Sequence, residues 1–167
     1  MPDAALDPSS LPLQTPAPGA SVRHFTETIS TTLPPELVWA EFTRTLKNSQ
    51  EGPLWPNEVS TVRVLQLPIA QGSVLAERIT LTGMMVHYRL MRFEPPRLLE
   101  YAALQGHHLA GGAVVSIESS AGKTTLRWQG EYRASEASLA QLDRFRVAFF
   151  SGLARQFQQL ESSAPAR

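Results

Sequence analysis

The sequence predicts an α+β fold in which a seven-stranded, curved antiparallel sheet wraps around a long C-terminal helix, with two short helices after the first strand. Three observations lead to this fold class. Residues 138–160 carry one long helical pattern, residues 59–133 carry six strand patterns in series, and a strand pattern and a helix pattern precede them. A long helix laid on a curved sheet often leaves space between the two layers, so we expect the function to lie in an apolar cavity there.

The N-terminal residues are expected to lie outside the folded domain. Residues 1–20 hold five of the 13 prolines and no aromatic residue, so they cannot supply a core. We therefore expect a disordered, Pro-rich tail over residues 1–20, the folded domain over residues 21–161 and a disordered end over residues 162–167. The alternative for the tail is a docking segment for a partner.

The first predicted strand covers residues 21–30, which alternate and are rich in β-branched side chains. Pro34 and Pro35 then open a helix, because proline fits the first helical turn. This helix is expected to end near Lys47, and residues 48–57, which contain glycine and proline, to form a loop or one short helical turn. The apolar side chains that the helix would turn inward are Val38, Trp39, Phe42 and Leu46.

Six strands follow, and glycine or proline separates each from the next. Connections this short join antiparallel neighbours. The predicted strands cover residues 59–67, 74–82, 85–93, 98–105, 113–119 and 124–133.

The last predicted element is a helix over residues 138–160. Its apolar side chains are spaced three or four positions apart, which places them on one face of a helix. Such a face must be buried, and the sheet is the only large partner, so we expect the helix to pack on the sheet. The residues of this face are Leu139, Leu142, Phe145, Phe149, Leu153, Phe157 and Leu160.

Composition excludes several classes of function. Hydrophobic residues make up 43% of the chain, charged residues make up 18%, and the net charge is zero, so no basic surface would attract nucleic acid. The absence of cysteine excludes disulfides, zinc–thiolate sites and cysteine nucleophiles. No apolar run reaches the roughly 18 residues of a membrane span, and no signal-peptide pattern opens the chain, so a cytoplasmic protein without a membrane span is expected.

We expect no cofactor and no metal, because the sequence carries no P-loop, dinucleotide or nucleophile-elbow motif. His107 and His108 lie in a Gly-rich turn, and adjacent histidines make a poor pair of metal ligands. They fit turn residues near a cavity mouth or solvent; if one enters the cavity, it could act as a general acid or base, and His107 is the candidate. A monomer or a weak homodimer is expected, since no exposed apolar element demands a partner.

The order of elements, together with four loose motifs, resembles the START/Bet v 1-like (SRPBCC) superfamily, which has the helix-grip fold. Within it, the chain is similar to the polyketide cyclase/dehydrase and lipid-transport group, over residues 22–160. The motifs are PELVW at 35–39, LWP at 54–56, FEPPRLLEY at 93–101 and TLRWQGEY at 125–132. The resemblance implies a seven-stranded sheet that grips the last helix, with a tunnel for an apolar ligand between them. The group includes enzymes, carriers, chaperone cofactors and ligand sensors, so the fold alone does not choose among them.

Residues on the strand faces that should turn toward the helix are the candidates for ligand binding. On the last strand, Leu126, Trp128 and Tyr132 share one face, and Arg127 and Gln129 share the other. Polar residues of the central strands could supply contacts inside the tunnel or form an ion pair. The candidate ligand-binding residues are Trp55, Arg78, Tyr88, Leu90, Tyr101, Leu126, Trp128, Tyr132, Phe149 and Leu153.

Arg92 is the leading candidate for catalysis. By alternation it shares a strand face with Tyr88 and Leu90, and a guanidinium that faces a pocket would polarise a carbonyl or hold a carboxylate. In the aromatic polyketide cyclases, an arginine at a similar strand position takes part in catalysis. If the two faces of the strand are reversed, Arg92 is solvated instead.

Trp55 and Pro56 match a pair that lines the pocket mouth in those cyclases, although a tryptophan packed under a loop is the favoured alternative. Two departures from the cyclase pattern are visible. Val62 stands where the cyclases have a tyrosine, and the residues near Ala103 and Leu104 are apolar where the cyclases have a second arginine.

Three hypotheses for function follow. The first is binding of an apolar or aromatic, lipid- or polyketide-like small molecule between the sheet and the last helix. The second is a cyclase or dehydratase type of enzyme, in which Arg92 polarises a carbonyl. The third is a protein-interaction module such as a chaperone cofactor, which predicts a filled interior.

Overall fold

The computed structural model describes residues 7–43, 60–65, 68–79 and 82–163. A turn of 3-10 helix at Pro8–Ser10 precedes the main elements. These elements are β1 (Ser21–Thr31), α1 (Pro35–Phe42), β2 (Ser60–Val64), β3 (Val74–Ile79), β4 (Met85–Glu94), β5 (Leu98–Ala103), β6 (Ala110–Ser120), β7 (Lys123–Ala134) and α2 (Glu136–Ser163).

The seven strands form one antiparallel sheet in the order β1-β7-β6-β5-β4-β3-β2. From β2 to β7 every strand pairs with its neighbour in sequence, and β1 closes the order by pairing with β7. This confirms the predicted helix-grip fold class, with its long C-terminal helix and one short helix. The second predicted short helix falls on residues outside the described part of the chain.

Alternation of side chains gives the sheet one apolar face. Along β7, Leu126, Trp128 and Tyr132 are buried, whereas Arg127 and Gln129 are exposed. The buried set packs into the core, because removing apolar area from water stabilises the fold by about 1.5–3 kcal/mol for each large side chain.

The long helix α2 packs against β1 and β7 with its apolar face. Its buried side chains include Phe149, Leu153 and Phe157, and Phe157 is only 1% exposed. Near its end, the Glu161 carboxylate accepts hydrogen bonds from the Thr31 hydroxyl and, at 3.1 Å, from the Thr32 N–H. These bonds attach the last turns of the helix to the end of β1. Among the described helices, none is long and apolar enough to cross a membrane.

The N-terminal segment differs from expectation, because residues 9–14 bond to the sheet instead of belonging to a disordered tail. Leu13 forms a β-bridge with Leu104, the Gln14 N–H donates to the Ala103 carbonyl at 2.9 Å, and the Gln105 N–H donates to the Pro12 carbonyl at 2.8 Å. β6 pairs with β5 only as far as Ala102, so the end of β5 has backbone groups that this segment can satisfy. A Pro-rich segment needs no apolar side chains to make such bonds. At the other terminus, α2 continues to Ser163, past the predicted domain end at 161.

Candidate functional site

A cavity of about 50 Å³ lies between the inner face of the sheet and the first half of α2. Its wall is mostly aromatic. β1 and β7 supply Phe25 and Trp128, and α2 supplies Phe145, Phe149 and Phe150. The polar groups of the wall are Glu77, Tyr88, Tyr101, Tyr132 and Arg146.

One chain of hydrogen bonds leads from a backbone amide to a carboxylate in this wall. The Leu109 N–H donates to Nδ1 of His107 at 3.0 Å. Nε2 of His107 lies 2.9 Å from the Tyr88 hydroxyl, which donates to the Glu77 carboxylate at 3.1 Å. Glu77 is only 6% exposed, so this carboxylate is buried and hydrogen-bonded in the core, where charged groups are uncommon.

The proton on His107 can be assigned from these contacts. Because Nδ1 accepts from Leu109, the neutral imidazole carries its proton on Nε2, and Nε2–H donates to the Tyr88 oxygen. Burial is the main cause that lowers the pKa of His107 to about 3, and the neighbouring His108 and His87 are smaller causes of the same shift. The ring is therefore neutral near pH 7, and the donors in this chain all point toward Glu77.

Three tyrosine hydroxyls meet beside Glu77. The Tyr101 hydroxyl oxygen accepts hydrogen bonds from the Trp128 indole N–H at 2.9 Å and from the Tyr132 hydroxyl at 3.4 Å. Burial raises the pKa of Tyr88 and Tyr101 well above the ordinary value, and it also raises the pKa of Tyr132. All three therefore stay protonated at physiological pH and are able to donate hydrogen bonds.

Arg146 brings a positive charge to the mouth of the cavity. It donates to the Glu27 carboxylate at 2.6 Å and to the Asp143 carboxylate at 3.3 Å, and it lies over the Phe25 ring at 5.1 Å. Its Nε is buried and has no hydrogen-bond partner. The ion pair with Glu27 links α2 to β1 at the side where the cavity approaches the surface.

The structure gathers most of the predicted ligand-binding residues in one region. Tyr88, Tyr101, Trp128, Tyr132 and Phe149 line the cavity. Three more of the predicted residues are buried in the core beside the cavity, namely Leu90, Leu126 and Leu153.

Two predicted site residues, Arg78 and Arg92, lie outside the cavity, and the position of a third, Trp55, is not described. Arg78 was expected in the tunnel, but it is exposed, because Leu75 and Glu77 are the residues of β3 that turn inward. Because side chains alternate along a strand, only one of the neighbours Glu77 and Arg78 can lie on the inner face. Trp55 lies outside the described residues.

The expected position of Arg92 on the cavity face is wrong, because β4 contains a bulge. Leu90 pairs with Tyr101, but Arg92 pairs with Glu100, so Met91 is an extra residue. The bulge turns Phe93 inward, where its ring lies 5.6 Å from that of Trp39. Arg92 faces outward with 47% of its side chain exposed, and its Nε lies 3.3 Å from the Glu100 carboxylate.

Seven wall residues were not among the predicted ligand-binding residues, namely Phe25, Leu75, Glu77, Leu142, Phe145, Arg146 and Phe150. Phe145 belongs to the predicted apolar face of α2, and Phe25 is the one aromatic residue of β1, so both carried a signal. Arg146 carried none, because an arginine beside an apolar stripe is ordinary on an amphipathic helix.

Comparison with known proteins agrees with this architecture. A family model described as polyketide cyclase / dehydrase and lipid transport matches residues 22–162. No curated protein matches the chain in sequence.

Solved structures share the fold at low sequence identity. Protein Ms6760 from Mycobacterium smegmatis is 14% identical with a TM-score of 0.60, and the alignment covers 86% of this chain and 93% of that one. XoxI from Bacillus cereus is 15% identical with a TM-score of 0.61, covering 83% and 97%. Ara h 8.0201 is 10% identical with a TM-score of 0.60, covering 83% and 99%.

The structural similarity and the family match support the resemblance to the START/Bet v 1-like (SRPBCC) superfamily. The match extends over nearly the whole folded part of the chain, from the first residues of β1 to the last turn of α2. The chain belongs to the polyketide cyclase/dehydrase and lipid transport family.

Proposed function

We propose that the protein binds an aromatic small molecule that carries an oxygen function, in the cavity between the sheet and α2. The observation that carries this proposal is the combination of an aromatic wall with three tyrosine hydroxyls that converge on one point. Apolar walls supply most of the binding free energy in such sites, and a few convergent polar groups orient the ligand. A phenol or a ketone oxygen would take over the long hydrogen bond that the Tyr132 hydroxyl now donates to the Tyr101 oxygen.

Binding requires the cavity to enlarge. Its volume of about 50 Å³ suits a group the size of one or a few water molecules, whereas ligand pockets commonly measure ~300–1,000 Å³. The half-buried side chains Leu142, Phe145 and Arg146 lie where α2 covers the cavity, so their displacement would open it. A two-ring ligand that buries about 200 Å² of apolar surface gains about 5 kcal/mol, from which the cost of opening is subtracted.

The first test is native mass spectrometry of the freshly purified protein against the denatured chain. A co-purified mass that disappears on denaturation would identify the chemical class of the ligand.

A second test uses isothermal titration calorimetry with 2-naphthol, a two-ring phenol. We expect binding to the wild type and at least tenfold weaker binding to Leu142→Trp, because the larger side chain blocks the mouth. Arg92→Ala, on the outer face, is the control and should bind as the wild type does. Undiminished binding by Leu142→Trp would show that the probe lies elsewhere.

A protein-interaction module is the second candidate, and the small cavity volume favours it. If the protein's own side chains fill the interior, the outer surface must bind the partner. In that case 2-naphthol would bind to neither the wild type nor Leu142→Trp, and no small molecule would co-purify. A partner protein would then have to be found. The enzyme hypothesis based on Arg92 has no such support, since its guanidinium lies on the outer face of the sheet.

A further inference from the structure

We propose that the ligand of the cavity carries a carboxylate, and that Arg146 binds this group at the cavity mouth through its Nε–H. An aromatic carboxylic acid is thus the class of ligand that we assign, and this assignment rests on the proposed binding function.

The first support is a pair of buried donors without acceptors. Among the described residues, the buried side-chain atoms that have no hydrogen-bond partner are Nε of Arg23 and Nε of Arg146. Folded proteins satisfy nearly all such groups, because a buried N–H without an acceptor has lost the bonds that it makes to water. Both guanidinium groups contact the same carboxylate, that of Asp143. Two unsatisfied cationic donors in one network indicate a place for an anionic oxygen.

The second support is the position of Arg146 in this network. Four charged side chains connect β1 to α2, and they are Arg23, Glu27, Asp143 and Arg146. Arg146 is the least exposed of the four, with 21% of its side chain accessible to solvent. It is also the one of the four that lines the cavity, so a ligand there meets this guanidinium first.

The network can accept a third carboxylate by an exchange of partners. A guanidinium donates two parallel hydrogen bonds to a carboxylate, and the Nε and Nη2 atoms of Arg146 form one such fork. At present Nη2 donates to Asp143 at 3.3 Å, which is longer than the 2.6 Å bond from Nη1 to Glu27.

Every charge keeps a partner after this exchange. If the ligand takes the fork, Asp143 retains Arg23, whose Nη2 lies 3.2 Å from its other oxygen, and Arg146 retains Glu27. A buried ion pair is favourable only when no charge is left uncompensated, and this arrangement meets that condition.

The place of the guanidinium also defines where the acid group lies on the ligand. The Cζ atom of Arg146 lies 5.1 Å from the centre of the Phe25 ring, and Phe25 lines the cavity. The fork is therefore adjacent to the aromatic wall, and a carboxylate attached directly to an aromatic ring fits this spacing. Glu27 and Asp143 disfavour a phosphate, because its second negative charge would repel them.

Binding of the acid is coupled to the opening of the cavity. Nε of Arg146 is buried in the closed state, so a ligand reaches it only when the wall moves. Leu142 and Phe145 are the other half-buried wall residues of α2, and they are displaced in the same opening.

The experiment uses 6-hydroxy-2-naphthoate, which is 2-naphthol with a carboxylate at the far end of the two rings. Calorimetry compares it with its neutral amide, 6-hydroxy-2-naphthamide, which has nearly the same shape. We expect the wild type to bind the acid at least about tenfold more tightly than the amide. Arg146→Met should bind the acid and the amide equally, because methionine has no N–H donor.

The matched control is Arg144→Met, which removes one positive charge from an exposed position of the same helix. It should keep the preference for the acid. An equal loss of preference in Arg144→Met and Arg146→Met would show that the charge acts from a distance, and it would overturn the inference.

Arg146→Lys is the second variant in case Arg146→Met does not fold. Lysine keeps the charge and can pair with Glu27, but it lacks the planar fork. The preference for the acid should therefore fall by about threefold or more. A lysine variant with the full preference would contradict recognition by the fork.

A spectroscopic readout observes the proposed contact directly. The Arg146 Nε–H signal in a ¹H–¹⁵N spectrum is assigned by its absence from Arg146→Lys. In the wild type we expect its proton to move downfield on addition of the acid, because a hydrogen bond to an anion deshields the proton. A signal that stays in place while the acid binds would overturn the inference.

The outcomes separate this inference from the binding function on which it rests. If 2-naphthol binds but the acid binds no more tightly than the amide, the inference is overturned and the binding function stands. If 2-naphthol, the acid and the amide all fail to bind and no molecule co-purifies, the binding function fails and the inference fails with it.

Discussion

The proton position on His107 depends on a single backbone contact. Its ring is 3% exposed, and the Leu109 N–H occupies Nδ1, so only Nε2 carries a proton in the neutral form. A second proton would have to displace that backbone donor inside the core. The same residue was predicted only as a turn histidine or an acid–base group, because its sequence neighbours do not disclose the amide that faces the ring.

We expect the His107 imidazole signals to stay constant between pH 5 and 8 and to have the ¹⁵N shifts of the Nε2–H tautomer. The folded pKa of about 3 lies below the unfolded value of 6.5, so the stabilising effect is complete above pH 6.5 and is lost as the pH falls toward 3. At pH 5.5 the loss from this group is about 1.4 kcal/mol. His107→Gln, which keeps a donor for Tyr88, should show a correspondingly smaller decrease in unfolding free energy between pH 8 and 5.5. An equal decrease in both proteins would contradict the assignment.

Arg92 illustrates what a residue-level pattern cannot provide. The alternation of β4 predicts the inner face correctly for Tyr88 and Leu90. Past the bulge at Met91 the same rule gives the opposite of the observed orientation. The extra residue has no local signature in the sequence, because it depends on how β5 pairs with β4. The burial of a single strand residue can therefore be predicted only where the pairing with the neighbouring strand is regular.

At the scale of elements, the predictions were reliable where the sequence is strongly periodic. They failed where an element is held by backbone pairing, as in the N-terminal segment. The apolar face of α2 and the alternation of β7 both predicted buried residues that the structure confirms, such as Leu126 and Phe157. The N-terminal segment has neither pattern. It is held by main-chain hydrogen bonds and by Arg89, whose guanidinium donates to the Leu11 carbonyl at 2.8 Å and to the Ser9 carbonyl at 3.3 Å.

Arg89→Met should therefore release the N-terminal segment. We expect a decrease in the free energy of unfolding of about 1–2 kcal/mol, since two carbonyls lose a charged donor, and faster cleavage within residues 7–20 in limited proteolysis. Arg92→Met on the same strand is the matched control. It removes an exposed ion pair, which contributes about 0–1 kcal/mol, and should not change the cleavage pattern. Equal rates of cleavage in the two variants would show that Arg89 does not hold the N-terminal segment against the sheet.

For the whole molecule, the core forms one connected body. A large cluster runs from α1 across the sheet to α2, and a smaller one surrounds Leu109 and Leu139. Phe25 packs against both, and its ring stacks on Tyr132 at 6.0 Å. The fold class and the family were predictable because the order of elements specifies them. The cavity volume was not, since it depends on how several rings pack.

We expect this connected core to unfold in one step. Denaturation followed by tryptophan fluorescence and by far-ultraviolet circular dichroism should give coincident transitions, because Trp128 contacts both the sheet and α2. Fluorescence that changes at a lower denaturant concentration than the dichroism would indicate that α2 separates from the sheet first.

The position of α2 at the end of the chain order has a consequence for protein synthesis. The ribosome completes all seven strands before it makes the helix that covers them. Until α2 emerges, the aromatic inner face with Tyr88, Tyr101 and Trp128 lacks the cover of this helix, which favours aggregation or capture by a chaperone. A nonsense mutation within α2 should therefore eliminate the protein through degradation, and it should not produce a shortened chain that binds its ligand more weakly.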